Sequence, residues 1–160
     1  MNAPVTPAAI TEFLNQRIAE VFDTLLSLPA TPQPEAVLDE AHPHLSGAVG
    51  FAGETVTGSV YLHVNDIFGN FITQTMLGLP PEEAPGESDV KDVAGEVTNM
   101  LGGAFKSWLC DAGAKCALTA PAVIRGLSYS IRTSEGVTRI KQGFTCGEHT
   151  GVAEIHIKFA

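Results

Sequence analysis

The sequence predicts an α+β fold of two layers, an antiparallel β-sheet with long helices packed on one face. Residues 10–28 and 90–108 repeat apolar side chains at three- and four-residue spacing, the period of an amphipathic helix. Residues 48–64 and 152–159 instead alternate with a period of two, apolar or small on one side and polar on the other. A sheet with one greasy and one polar face is usually antiparallel and covered by helices on one side only.

The first helix starts at Thr6-Pro7, a capping hydroxyl followed by a proline at the first helical position. Ile10, Phe13, Leu14, Ile18, Val21, Phe22, Leu25 and Leu28 form its apolar face, and Pro29 stops it. Residues 29–34, PATPQP, read as a stiff connector, because too little chain precedes them to form a domain. Val49 and Phe51, then Val56, Val60, Leu62 and Val64, predict a hairpin turning at Gly53-Glu54, with Thr57, Ser59, Tyr61 and His63 on its polar side. Asn65 or Asp66 caps a second helix, Ile67 to Leu77, whose buried face is read as Ile67, Phe68, Phe71, Ile72 and Met76. Gly78 closes it, and Pro80-Pro81 forbids continuation into the acidic loop 79–88. Ser88 or Asp89 opens a third helix that Gly113 ends. The remainder reads as strands: 118–125 broken by Pro121, 127–133, 137–146 and 152–159, with turns at 134–136 and 147–151.

The chain of 160 residues is expected to form one domain, residues 1–160, large enough for a hydrophobic core. Its net charge of −9, with only 9 Lys and Arg, argues against nucleic acid and against an anionic membrane surface. An odd count of cysteines, Cys110, Cys116 and Cys146, suits reduced thiols and a cytoplasmic compartment. No basic leader segment and no apolar run of membrane-spanning length is present in the sequence.

The third helix carries the candidate chemistry. Val90, Val93, Val97, Met100, Leu101, Ala104, Phe105 and Trp108 fall on one face, and Asp92, Glu96, Asn99, Gly103 and Lys106 on the other. Glu96 and Asn99, at i and i+3, stand side by side. From pattern alone, a Glu and an Asn on a solvated helix face is the commoner reading. Asn, however, is a mediocre mid-helix residue, and glycines at 95, 102 and 103 each cost about 1 kcal/mol against Ala, so something is expected to approach that surface closely. His42 and His44 lack a third ligand at recognisable spacing, so no metal is expected. His63 and His156 are read as surface residues, Cys110 and Cys116 as idle thiols, and no P-loop, nucleophile elbow or triad pattern occurs.

The run Asp92-x-x-x-Glu96-x-x-Asn99, followed by Gly-Ala-Phe-Lys-Ser-Trp-Leu at 103–109 and Leu118-Thr119-Ala120-Pro121, resembles the chemotaxis phosphatases CheX, CheC and FliY. The single motif, the hairpin GETVTGSVYL and the MLG helix end resemble CheX in particular, over about residues 45–160. The resemblance implies a phosphatase acting on the aspartyl phosphate of a phosphorylated CheY-like receiver domain. Asn99 would position the attacking water and Glu96 would pair with the receiver's lysine, while the receiver brings its own Mg²⁺. Asp92 would be a second contact or a helix-start charge, and Lys106 a steering cation. Homodimerisation is likewise implied. Many relatives place a second Asn where this chain has Ala104, so whatever role the family gives that amide has no counterpart here. A receiver-binding module without catalysis is the alternative reading.

Overall fold

The computed structural model describes residues 4–127 and 129–160. Its elements are α1 (Pro7–Leu26), β1 (Thr31–Pro32), β2 (His44–Ala52), β3 (Val56–Asn65), α2 (Asp66–Leu77), α3 (Glu87–Asp111), β4 (Ala117–Leu118), β5 (Ala122–Gly126), β6 (Thr138–Cys146) and β7 (His149–Phe159). The strands form one antiparallel sheet in the order β1-β6-β7-β3-β2-β4, with β5 also paired to β2. The helices share one face, so the α+β two-layer expectation holds.

The caps act as their chemistry requires. Thr6 Oγ1 accepts from the Ala9 N–H at 3.1 Å, and Asn65 Oδ1 accepts from the Phe68 N–H at 2.8 Å. Gly78 closes α2 at φ 66°, a left-handed conformation that favours glycine. α3 begins earlier than the sequence predicts: Gly86 is its cap and makes no side-chain hydrogen bond, while Ser88 and Asp89 already lie inside the helix. Glu87 and Asp89 in the first turn complement the positive end of the helix dipole. α1 ends at Leu26 with Ser27 left-handed, so Leu28 lies beyond it.

Aromatic side chains join the helices to the sheet. Phe105 of α3 meets Phe13 of α1 at 5.5 Å and Phe51 of β2 at 5.4 Å between ring centres. Phe22 meets Phe68 of α2 at 5.6 Å and Phe144 of β6 at 5.2 Å. All six of these phenylalanines are buried, and each such side chain contributes about 1.5–3 kcal/mol of burial free energy.

β4 and β5 lie end to end along β2 as one interrupted edge. Where Pro121 cannot donate to the ladder, Thr119 bridges the gap: its N–H donates to the Gly50 carbonyl at 2.8 Å, and its hydroxyl accepts from the Gly50 N–H at 2.9 Å. The strand predicted at 127–133 does not form over Leu127 and residues 129–133; Ser128 lies outside the described residues. The strand order supplies the reason. β5 lies against β2 and β6 against β7, so the connection between them has to cross the sheet rather than join it.

That crossing corrects a second expectation. The segment from β1 to β2 also spans the sheet, and together the two straps cover part of the face that carries no helix. Glu154 is therefore 3% exposed rather than solvated, and the His63 side chain 12%; His156, 5% exposed, is covered by the Tyr61 ring at 4.7 Å.

Candidate functional site

The polar stripe of α3 is positioned from beneath by close helix–sheet contact. A Cβ at Gly102 would lie 2.3 Å from Val49 Cγ1, and one at Gly47 would lie 1.9 Å from Thr98 Oγ1. Gly95 faces Val123 and Pro121 of the broken edge. Two of the three helix glycines thus serve the chain's own sheet, which corrects the expectation that all three open the helix to a visitor. Gly103 is different: nothing lies within 4 Å of the position its Cβ would occupy.

The buried arc of α3 is wider than the apolar residues indicate. It takes in Gly95, Thr98 and Gly102 alongside Val90, Val93, Val97, Leu101, Phe105 and Leu109. Thr98 is buried with its hydroxyl donating to the Ala94 carbonyl at 2.7 Å, which satisfies the polar group locally. Met100, assigned by its chemistry to the apolar face, instead stands 38% exposed beside Asn99. An apolar residue next to an exposed amide is a signal available in the sequence, and the helical wheel places Met100 at the margin of the arc.

Asp92, Glu96, Asn99, Gly103 and Lys106 occupy an arc of about 80° and a length of about 21 Å at the standard helical rotation and rise. Asp92, Glu96 and Asn99 are exposed, and Gly103 and Lys106 half-buried. Among the described residues none of the four polar side chains makes an ion pair or a hydrogen bond within the chain. Glu96 and Asn99 are about 4.5 Å apart along the axis. A carboxylate and an amide are therefore displayed on a rigid helix, with the open surface of Gly103 one turn beyond the amide. A carboxylate can anchor an ammonium group, and an amide can donate and accept hydrogen bonds around one water without changing charge.

Other sequence candidates are not brought together here. His42 Nδ1 lies 3.8 Å from Asp66 Oδ1, and His44 Nε2 bonds the Asp39 carbonyl oxygen at 3.0 Å. Among the described residues no three His, Cys, Asp or Glu side chains cluster as metal ligands would. The Cys110 thiol donates to the Cys116 carbonyl at 3.9 Å. Burial pushes the Cys116 thiol up, the neighbouring Cys110 adds to this, and the Lys106 charge partly offsets it.

The profile of the family described as chemotaxis phosphatase CheX matches residues 45–145, a span that contains the hairpin, α2 and all of α3. The chain belongs to the CheX family. Among solved structures, CheX from Vibrio vulnificus is 29% identical over 97% of this chain and 100% of its own, with a TM-score of 0.78. A CheC-like chemotactic protein from Shewanella oneidensis is 30% identical over 91% and 95%, with a TM-score of 0.73. The CheX chain of a CheX–CheY–BeF3–Mg²⁺ complex from Borrelia burgdorferi shares the fold at a TM-score of 0.72, with 20% identity over 93% and 97%. A comparison with curated proteins gives no match. Among the described residues no helix of this CheX-family chain is long and apolar enough to cross a membrane.

Proposed function

We propose that the chain hydrolyses the aspartyl phosphate of a CheY-like receiver domain and that the exposed stripe of α3 is its half of the active site. The observation that carries this reading is the pair Glu96 and Asn99, displayed outward without partners among the described residues, in a member of a chemotaxis phosphatase family. The Borrelia complex, in which a protein of this fold meets CheY with BeF3 and Mg²⁺, supports the same choice of partner.

The reaction breaks the P–O bond of the acyl phosphate: water adds to phosphorus, the aspartate leaves as carboxylate, and dihydrogen phosphate is released. The bond is already activated, so the phosphatase mainly has to fix a water in line with the leaving oxygen. Asn99 does this by accepting a hydrogen bond from the water through its carbonyl while its amide donates toward the reacting centre. Glu96 pairs with the lysine of the receiver's phosphorylation site, which anchors the helix and draws that lysine from the phosphoryl group. Asp92 adds a second contact at one end of the stripe, and Lys106 steers the acidic receiver pocket from the other. Magnesium arrives on the receiver, in the cytoplasm, and a homodimer forms through an open sheet edge.

Mixing the protein with a labelled phosphoreceiver tests the proposal. Faster release of phosphate than from the receiver alone supports it. A docking module is the second reading, motivated by Ala104, which packs against the core and offers no second amide. That reading predicts binding to the activated receiver with an unchanged rate of label loss.

A further inference from the structure

On the sheet face opposite α3, the two straps leave a cavity of about 320 Å³. Its floor is a chain of hydrogen bonds. Tyr129 Oη meets Ser46 Oγ, which lies 2.5 Å from His63 Nδ1, and His63 Nε2 lies 2.5 Å from Glu154 Oε2. Glu154 Oε1 accepts from Arg139 Nε.

A serine, a histidine and a carboxylate in sequence suggest a hydrolytic centre, and the surroundings argue against one. Ser46 is 1% exposed and its hydroxyl is engaged by Tyr129. Its strand is paired on both edges, to His63 of β3 and Ile124 of β5, so the ladders occupy the backbone donors an oxyanion would need. The relay is a rigid floor, and the remaining groups decide what it holds.

Both oxygens of Glu154 are occupied, so its charge is compensated inside the protein. Arg139 spends only Nε on that contact and is 44% exposed, which leaves its two terminal nitrogens for the cavity. Lys141 projects from the same face of β6, about 7 Å along the strand, and among the described residues it has no ion-pair partner. Val37, 72% exposed on one strap, and the partly buried Leu38 and Ile131 supply apolar walls above this polar floor. Glu40 stands exposed at the rim and opposes an anion there.

We propose that this cavity binds a small organic carboxylate with a short apolar body. The carboxylate sits in the free fork of Arg139 beside Lys141, and the body lies against Val37, Leu38 and Ile131. The volume equals the share of roughly ten waters, which suits an acid of six to ten non-hydrogen atoms. The site is independent of the α3 stripe, from which the sheet separates it.

Titration of the ¹⁵N-labelled full chain with hexanoate, inorganic phosphate and hexylamine tests this. Hexanoate is expected to give saturable shifts at residues 37–40, 129–131 and 139–141 while residues 96–106 stay unmoved. Phosphate should bind more weakly for lack of a body, and hexylamine should not bind. Lys141→Gln, on an exposed side chain, should weaken hexanoate about fivefold or more, and Glu40→Gln should tighten it. Arg139→Gln should weaken it further, and a melting curve checks that this variant folds. Absence of saturation, equal affinity for phosphate or hexylamine, or an unchanged Lys141→Gln titration would overturn the site.

Discussion

Gly102 of α3 lies directly against Val49 of β2, so close that a methyl group at 102 would sit 2.3 Å from Val49 Cγ1. Val49 is 1% exposed, and a β-branched side chain in a packed core has little freedom to turn aside. This contact sets how deeply the helix seats and hence the height of Glu96 and Asn99 above the sheet.

The two adjacent glycines should therefore respond oppositely to the same change. Gly102→Ala is expected to destabilise the protein by roughly 1–3 kcal/mol despite the better helix propensity of alanine. Gly103→Ala meets no neighbour and should stabilise by up to about 1 kcal/mol. Under the proposed function the added methyl at 103 also crowds the docking surface, so that variant should be more stable and less active. Urea melts paired with phosphate-release rates separate the two effects.

Acid should attack the far face of the sheet. Burial pushes the Glu154 carboxyl up, but hydrogen bonds from His63 and Arg139, reinforced by their charges, outweigh it and hold the group at about 2. A depressed carboxyl contributes stability that is present above its unfolded value and lost as pH falls through the folded one. The loss is expected between about pH 4.5 and pH 2, and it should amount to roughly 3 kcal/mol. Glu154→Gln should flatten that limb of the stability–pH curve and cost roughly 1–3 kcal/mol at neutral pH, by leaving the largely buried His63 and the half-exposed Arg139 without their carboxylate. Denaturant melts across this range measure both.

Self-association is the third test. β1 is two residues long at one margin of the sheet, and the other margin is the interrupted β4–β5 edge, where Ile124 is 49% exposed. Open edges of this kind give strand pairing between copies a route. Sedimentation velocity at micromolar concentration should show a dimer, and Ile124→Lys should shift the distribution toward monomer if the β5 edge is used. A wild-type monomer at that concentration removes the dimer from the account.

The part of this molecule legible in its sequence is the part fixed by local period. The helices, the hairpin, the Thr6 and Asn65 caps, the Gly78 stop and the outward stripe of α3 all follow from spacing along one element. What the sequence hid depends on strand order. Thr98 and Gly102 are buried because β2 lies beneath α3, and nothing near residue 100 announces which strand that is. His156 and Glu154 alternate with apolar residues as a solvated strand face would. Glu154 is buried because β5 and β6 belong to opposite sides of the sheet, so the chain between them has to pass across it, and His156 lies beside it under Tyr61. The length of that connection, read with the strand order, is the signal that recovers the cluster.

Under the proposed function, Asn99 positions the water that releases phosphate from a receiver. This role is tested most directly by comparing Asn99→Ala with wild type in single-turnover release from a phosphorylated receiver, with thermal melts of both. Losing one positioned transition-state contact is expected to lower the stimulated rate by about 10²-fold or more. Stability should move by no more than about 0.5 kcal/mol for an exposed site. An unchanged rate in a folded variant would contradict the account.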